Sequence, residues 1–138
     1  MNFLTEEDMF EFAMFLIEEN GLPLTPQMGV SEPMDDFTLC VKVLKGKGFN
    51  LAFGDVENTK IRNINVSFLV HGNDKERETE YVANKLFLQL EKLKNGFYCD
   101  DIPIIQLVTD FDRPSPLGID KNGKFEFIID FTIRYRCD

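Results

Sequence analysis

The sequence has a single histidine, no tryptophan and only three cysteines. One imidazole and the thiols of Cys40, Cys99 and Cys137, with no C-x-x-C spacing, make no paired zinc-ligand pattern, and no cofactor is expected. The odd, scattered cysteines point to free thiols in a reducing cytoplasm, packed as small hydrophobes or, for Cys137, carried in a mobile tail. No uninterrupted apolar run approaches the roughly 18 residues needed to span a bilayer, so no membrane segment is expected. No basic segment followed by an apolar one opens the chain, so no leader is expected. Lysine and arginine are absent from residues 1–41, which carry nine carboxylates, while residues 42–138 carry fifteen charges of each sign. The net charge of -9 is therefore set by the N-terminal part. Binding to a phosphate backbone needs clustered cations, so direct, sequence-specific nucleic-acid binding is not expected, whereas a basic protein partner fits.

Nine glycines and six prolines in 138 residues are too few for a collagen-like or low-complexity chain. At 16.0 kDa one domain is expected, spanning residues 1–138 and burying about two-thirds of its extended-chain surface. Fourteen phenylalanines against three tyrosines make the aromatic content almost wholly apolar, which suits core packing and subunit contacts.

Thr5 to Asn20 reads as a helix: Thr5 can cap it, Glu6, Glu7 and Asp8 complement its dipole, Leu4 and Met9 stand at staple spacing, and Gly21 can stop it. Its apolar residues cover an arc of about 200°, wider than one core contact requires. Phe10, Met14 and Ile17 are expected to face the sheet or a second helix, and Phe12, Phe15 or Leu16 to meet a neighbouring subunit. Residues 22–36, with Pro23, Pro26 and Pro33, read as an ordered connection. Phe37, Leu39, Val41 and Val43 alternate with Thr38, Cys40 and Lys42 as a half-buried strand that ends at Lys45-Gly46-Lys47-Gly48. Residues 49–56 fit either a short strand or an excursion.

Ile64 to His71 repeats the alternation and stops at Gly72-Asn73. A second helix is expected from Asp74 to about Lys94, with Val82, Ala83, Leu86, Phe87, Leu90 and Leu93 inward. Ile104 to Phe111 and Lys124 to Arg136 read as strands. The latter would run about 40 Å, with Phe125 to Tyr135 at odd positions buried and Glu126, Asp130, Thr132, Arg134 and Arg136 wet. The connection from Asp112 to Gly123 has only Leu117 and Ile119 as apolar anchors and is expected to be mobile in the isolated chain. The fold class is α+β: a mainly antiparallel four- to five-stranded sheet with an N-terminal helix (residues 1–21), a connection (22–36), and a second helix within 37–138, both helices on one face.

Few residues suggest chemistry. His71, at a strand end, reads as a surface or turn residue. Asp110 and Asp112 point to one side of an extended segment and could hold Mg²⁺, although charges beside Arg113 more simply mark a strand's exit to solvent. Asp120-Lys121-Asn122-Gly123 opens like a calcium loop, but Lys124 and Phe131 would occupy ligand positions, so a hairpin turn is expected. Gly46-Lys47-Gly48 lacks the ending and the following helix of a phosphate loop. No serine, threonine or cysteine stands beside a recognisable base, so no enzymatic activity is expected.

Three stretches carry a resemblance: Ile64-Asn65-Val66-Ser67-Phe68-Leu69-Val70-His71-Gly72; the helix with Ala83, Leu86 and Leu90; and Arg113-Pro114-Ser115-Pro116-Leu117-Gly118-Ile119-Asp120-Lys121-Asn122-Gly123-Lys124-Phe125-Glu126-Phe127 leading into a long strand. Over about residues 61–136 the chain resembles the minor capsid, or tail-completion, proteins of tailed bacteriophages and prophages, a tail terminator-like family. His71 stands where relatives usually carry a basic residue. The resemblance implies a small α+β subunit that assembles into a ring, often hexameric, closes the tail tube and mates with head–tail connector or tail-tube proteins. It places the protein in the host cytoplasm during assembly and then in the virion. A closed ring needs two different patches on each subunit. Candidates are the first helix through Phe12, Phe15 and Leu16, the connection through Arg113, Leu117 and Ile119, and the wet face of the last strand through Arg134 and Arg136. The alternative reading is a small soluble module that binds a peptide or metabolite in an enclosed apolar pocket.

Overall fold

The computed structural model describes residues 3–29, 35–44 and 61–137. Residues 45–60, including Lys45-Gly46-Lys47-Gly48 and the ambiguous segment 49–56, lie outside them, as do Pro33 and its neighbours. The fold is α+β, as expected, with two helices on one face of a mixed sheet larger than the expected four or five strands.

Helix α1 (Glu6–Asn20) begins and ends where its caps dictate. Asp8 N–H donates to Thr5 Oγ1 at 3.2 Å while Thr5 N–H donates to Asp8 Oδ2 at 2.9 Å, a reciprocal capping box. Gly21 takes the left-handed conformation (φ 58°) that stops the helix. The buried stripe is Met9, Phe12, Ala13, Leu16 and Ile17, spaced i, i+3, i+4, i+7 and i+8. Phe12 stacks on Phe97 at 5.2 Å between ring centroids and tilts against Phe68 at 6.5 Å. Phe12 and Leu16, expected at a subunit interface, are therefore core residues, while Met14, expected inward, is exposed. Leu4 and Met9, at staple spacing, are both buried, as is Ala13.

Among the described residues the sheet runs β1-β2-β3-β7-β5-β4, with β6 also on β7. The strands are β1 (Thr25–Met28), β2 (Thr38–Leu44), β3 (Ile61–His71), β4 (Phe97–Cys99), β5 (Ile102–Thr109), β6 (Ser115–Ile119) and β7 (Phe125–Arg136). Only β1 and β2 pair in parallel; the remaining pairs are antiparallel. Central β3 pairs with β7 over its whole length, from Ile61 opposite Arg136 to His71 opposite Glu126. Its apolar alternation buries Ile64, Val66, Phe68 and Val70 beside Phe127, Ile129, Phe131, Ile133 and Tyr135 of β7. Phe68 and Phe131 meet edge to face at 4.8 Å. Helix α2 (Glu76–Lys92) covers β3, β5 and β7 with Val82, Ala83, Leu86, Phe87 and Leu90. Lys75, rather than Asp74, is its N-cap, and Asn73 Oδ1 accepts the Lys75 N–H at 2.9 Å.

Three short strands lie where the sequence suggested connections. Strand β1 sits within residues 22–36 and tolerates Pro26 because an edge strand needs to donate on one side only. Strand β4 returns into β5 through Asp100 and Asp101, Asp100 taking φ 54°. Strand β6 lies inside the Asp112–Gly123 connection, so that segment is not a bare loop. Strands β5 and β6 pair in succession with β7, separated by residues 110–114, with register shifts between Ile104 and Gln106 and between Pro116 and Gly118, and together with β7 form one long hairpin.

The sheet face opposite the helices is not uniformly wet. Thr38, Cys40, Ser67 and His71 are buried there, against the expected polar side of β2 and β3. Cys137 follows β7 as a buried residue and not as a mobile tail.

Candidate functional site

The turn of the long hairpin, Asp120 to Gly123, lies beside the end of β3. Asp120 N–H donates to Lys124 O at 2.9 Å and Gly123 N–H to Asp120 O at 3.0 Å. Asp120 Oδ1 accepts the N–H groups of Asn122 (2.8 Å) and Lys124 (2.9 Å). The expected hairpin turn is therefore present, and these bonds fix the direction of the Asp120 carboxylate. Its pKa is held below the usual range, first by the Lys124 N–H and also by the Asn122 N–H and by His71 and Lys124.

Opposite this turn stands His71, 1% exposed. Gly72 N–H donates to Phe125 O at 2.9 Å and Phe125 N–H to Asn73 O at 2.8 Å, locking the end of β3 against the start of β7. The register puts Glu126 directly across from His71, with Glu126 Oε2 2.9 Å from His71 Nδ1. Asp120 Oδ2 approaches the same nitrogen at 3.6 Å. Two carboxylates thus converge on one ring nitrogen, and the donor atoms of all three residues lie within 4.8 Å of one another. Lys124 is engaged elsewhere, its Nζ 3.1 Å from Asp36 Oδ1.

Cys40, one row away on the same sheet face, is pushed up to about 11 by burial and by the Glu126 carboxylate, so it is a neutral thiol near pH 7. Cys99 is likewise pushed up to about 11, by burial and then by Asp100, Asp8 and Glu11. Both cysteines are free and neither is an activated nucleophile.

Glu126 and Asp120 were missed because the sequence showed one as a wet strand residue and the other as a turn. A parity signal existed: His71 shares its strand face with Asn65 and Ser67, and Glu126 shares its face with Asp130. Joining them requires the β3–β7 register across 55 residues, which no local pattern supplies.

The remaining candidates fall in three places. Arg113, Leu117 and Ile119 are exposed on the hairpin arm, joined by exposed Phe111. Arg134 and Arg136 are exposed toward the other end of β7, about 30 Å away at strand rise. Phe15, 54% exposed, projects from the helix layer. Asp110 and Asp112 lie between β5 and β6 without forming a ligand group: Asp112 Oδ1 accepts Arg113 Nε–H at 3.2 Å, and the metal-sized acidic groups among the described residues lie elsewhere. One of those, Asp8, Glu11 and Asp100, already uses Asp8 to cap α1. A cleft between the end of α2 and β5 is open and bordered by Glu91, Lys94, Asn95 and residues 106–109.

Among the described residues no helix is long and apolar enough to cross a membrane. Compared with models of known protein families the chain matches none, and no curated protein matches it.

Proposed function

We propose that the chain is a non-enzymatic structural protein of a phage or prophage particle, completing the tail end or head–tail junction by forming a ring and docking. The observation that carries this reading is the exposed edge of the long hairpin. Strand β6 pairs with β7 on one side, and among the described residues no strand pairs with its other side. Leu117 and Ile119 on this edge are 54% and 60% exposed. An apolar open edge is a template for association, which natural monomers usually blunt with charge.

The arginine pair at the far end of β7 and Phe15 on the helix layer provide separate surfaces, as a head-to-tail ring interface requires. A ring of subunits carrying -9 each would repel DNA from its walls and let it slide through. The α+β class is the one the resemblance implies for such a subunit.

Sedimentation velocity over a wide concentration range, with and without a connector-type partner, tests the reading. The expected result is a concentration-dependent closed oligomer that Leu117→Glu with Ile119→Glu dissolves while the melting temperature stays unchanged. A wild type that remains monomeric at high concentration and beside its partner would sink the proposal.

A further inference from the structure

The cluster of His71, Asp120 and Glu126 brings two carboxylates to one buried ring nitrogen. One Nδ1–H can donate to Glu126 at 2.9 Å, but Asp120 Oδ2, at 3.6 Å, is beyond hydrogen-bond reach of the same atom. The other Asp120 oxygen is committed to two backbone N–H groups, and the Lys124 ammonium is paired with Asp36. A second carboxylate oxygen thus faces the nearly inaccessible imidazole at ion-pair distance.

We propose that His71 Nδ1, Asp120 Oδ2 and Glu126 Oε2 form a binding site for a divalent first-row transition ion of the zinc type, which ties the hairpin turn to the end of β3. Donors about 2.0–2.2 Å from a shared ion lie about 3.0 Å apart at right angles and about 3.4 Å apart at the tetrahedral angle. The observed separations from Nδ1, 2.9 Å and 3.6 Å, bracket those values, so small side-chain shifts suffice. The charge balance favours the ion, since two carboxylates match a divalent cation. An imidazole donor selects zinc-type ions over Mg²⁺ and Ca²⁺, which prefer an all-oxygen shell. Three protein ligands leave the remaining coordination positions for water. The three ligands come from β3, the turn and β7, three elements that the backbone bonds at Gly72 and Phe125 already hold in register. This inference does not depend on assembly.

His71 is the only histidine, so in the ¹⁵N-labelled full chain its ring nitrogens give a single pair of signals. Titration with Zn²⁺, using those signals together with calorimetry, decides the matter. The expected result is 1:1 binding that shifts the Nδ1 signal. Asp120→Asn and Glu126→Gln should each weaken zinc binding at least tenfold, while Mg²⁺ at the same concentration leaves the signals unmoved. Asp120→Asn keeps the oxygen that accepts the turn N–H groups, so it serves as the test if Glu126→Gln fails to fold. Three outcomes would overturn the proposal: His71 signals unchanged at tenfold excess zinc, zinc heat without a His71 shift (binding at thiols or at the Asp8, Glu11 and Asp100 group), or equal affinity in Asp120→Asn.

Discussion

Gly72 lies so close to Thr79 that a Cβ added to it would sit 2.6 Å from Thr79 Cβ and closer still to Oγ1 and Cγ2. Thr79 cannot move aside easily. It is fully buried in the first turns of α2, β-branched and therefore stiff at χ1, and its hydroxyl donates to Lys75 O at 3.1 Å and accepts the Asn73 N–H at 3.2 Å. The glycine is needed for this close approach and not for an unusual φ. Gly72→Ala should therefore destabilise the fold by roughly 1–3 kcal/mol through overpacking at the junction of β3 and α2. Urea denaturation of the variant checks this, and a midpoint equal to wild type would show that the helix start can shift freely.

The two thiols raised to about 11 give the stability a defined alkaline limb. An unfolded cysteine loses its proton near its ordinary value of about 9, whereas folded Cys40 and Cys99 hold theirs to about 11. Between those values the folded state binds more protons than the unfolded state, so stability falls as pH rises from about 9 to about 11 and is unaffected by these groups below that window. Chemical denaturation at pH 8, 9, 10 and 11 should show this decline, flattened in a Cys40→Ser, Cys99→Ser variant. At pH 8 alkylation of both thiols should also be at least tenfold slower in the folded protein than in urea, since the thiolate is the reactive form.

Much of the fold was legible in the sequence because its largest parts are local. The Thr5 cap, the Gly21 stop, the alternation of Ile64 to Val70 and the odd-position phenylalanines of β7 each act over a few residues. The short strands β1, β4 and β6 were not legible, since each takes its identity from a neighbour's backbone and β1 and β6 carry Pro26, Pro116 and Gly118, residues that ordinarily mark connections. The phase of α1 was undetermined for another reason: an arc of about 200° offers two plausible inward faces, and only the surface it meets chooses between them. His71 failed most plainly. Its burial follows from the hairpin turn folding back beside the end of β3, a tertiary event that strand-end position does not reveal.

That phase separates Phe12 from Phe15 within α1 and makes them a matched pair of probes. Phe12, 6% exposed, is wedged between Phe97 and Phe68, and truncating it leaves a cavity that the flanking rings cannot fill without losing their contact. Phe12→Ala should cost about 3–5 kcal/mol of folding stability. Phe15, one turn further on and about 60° around the helix from Phe12, lies beyond the buried stripe and is more than half exposed, so Phe15→Ala should change the folding stability by no more than about 0.5 kcal/mol. If Phe15 anchors a neighbouring subunit, the same substitution should remove about 1–3 kcal/mol of association free energy, because exposed aromatic residues that become buried at interfaces carry a large share of the binding. Thermal melting of dilute protein measures the first pair of effects and light scattering across concentrations measures the second. A Phe15→Ala protein that associates like wild type would remove the helix layer from the interface and leave the β6 edge and the arginine end of β7 to form it.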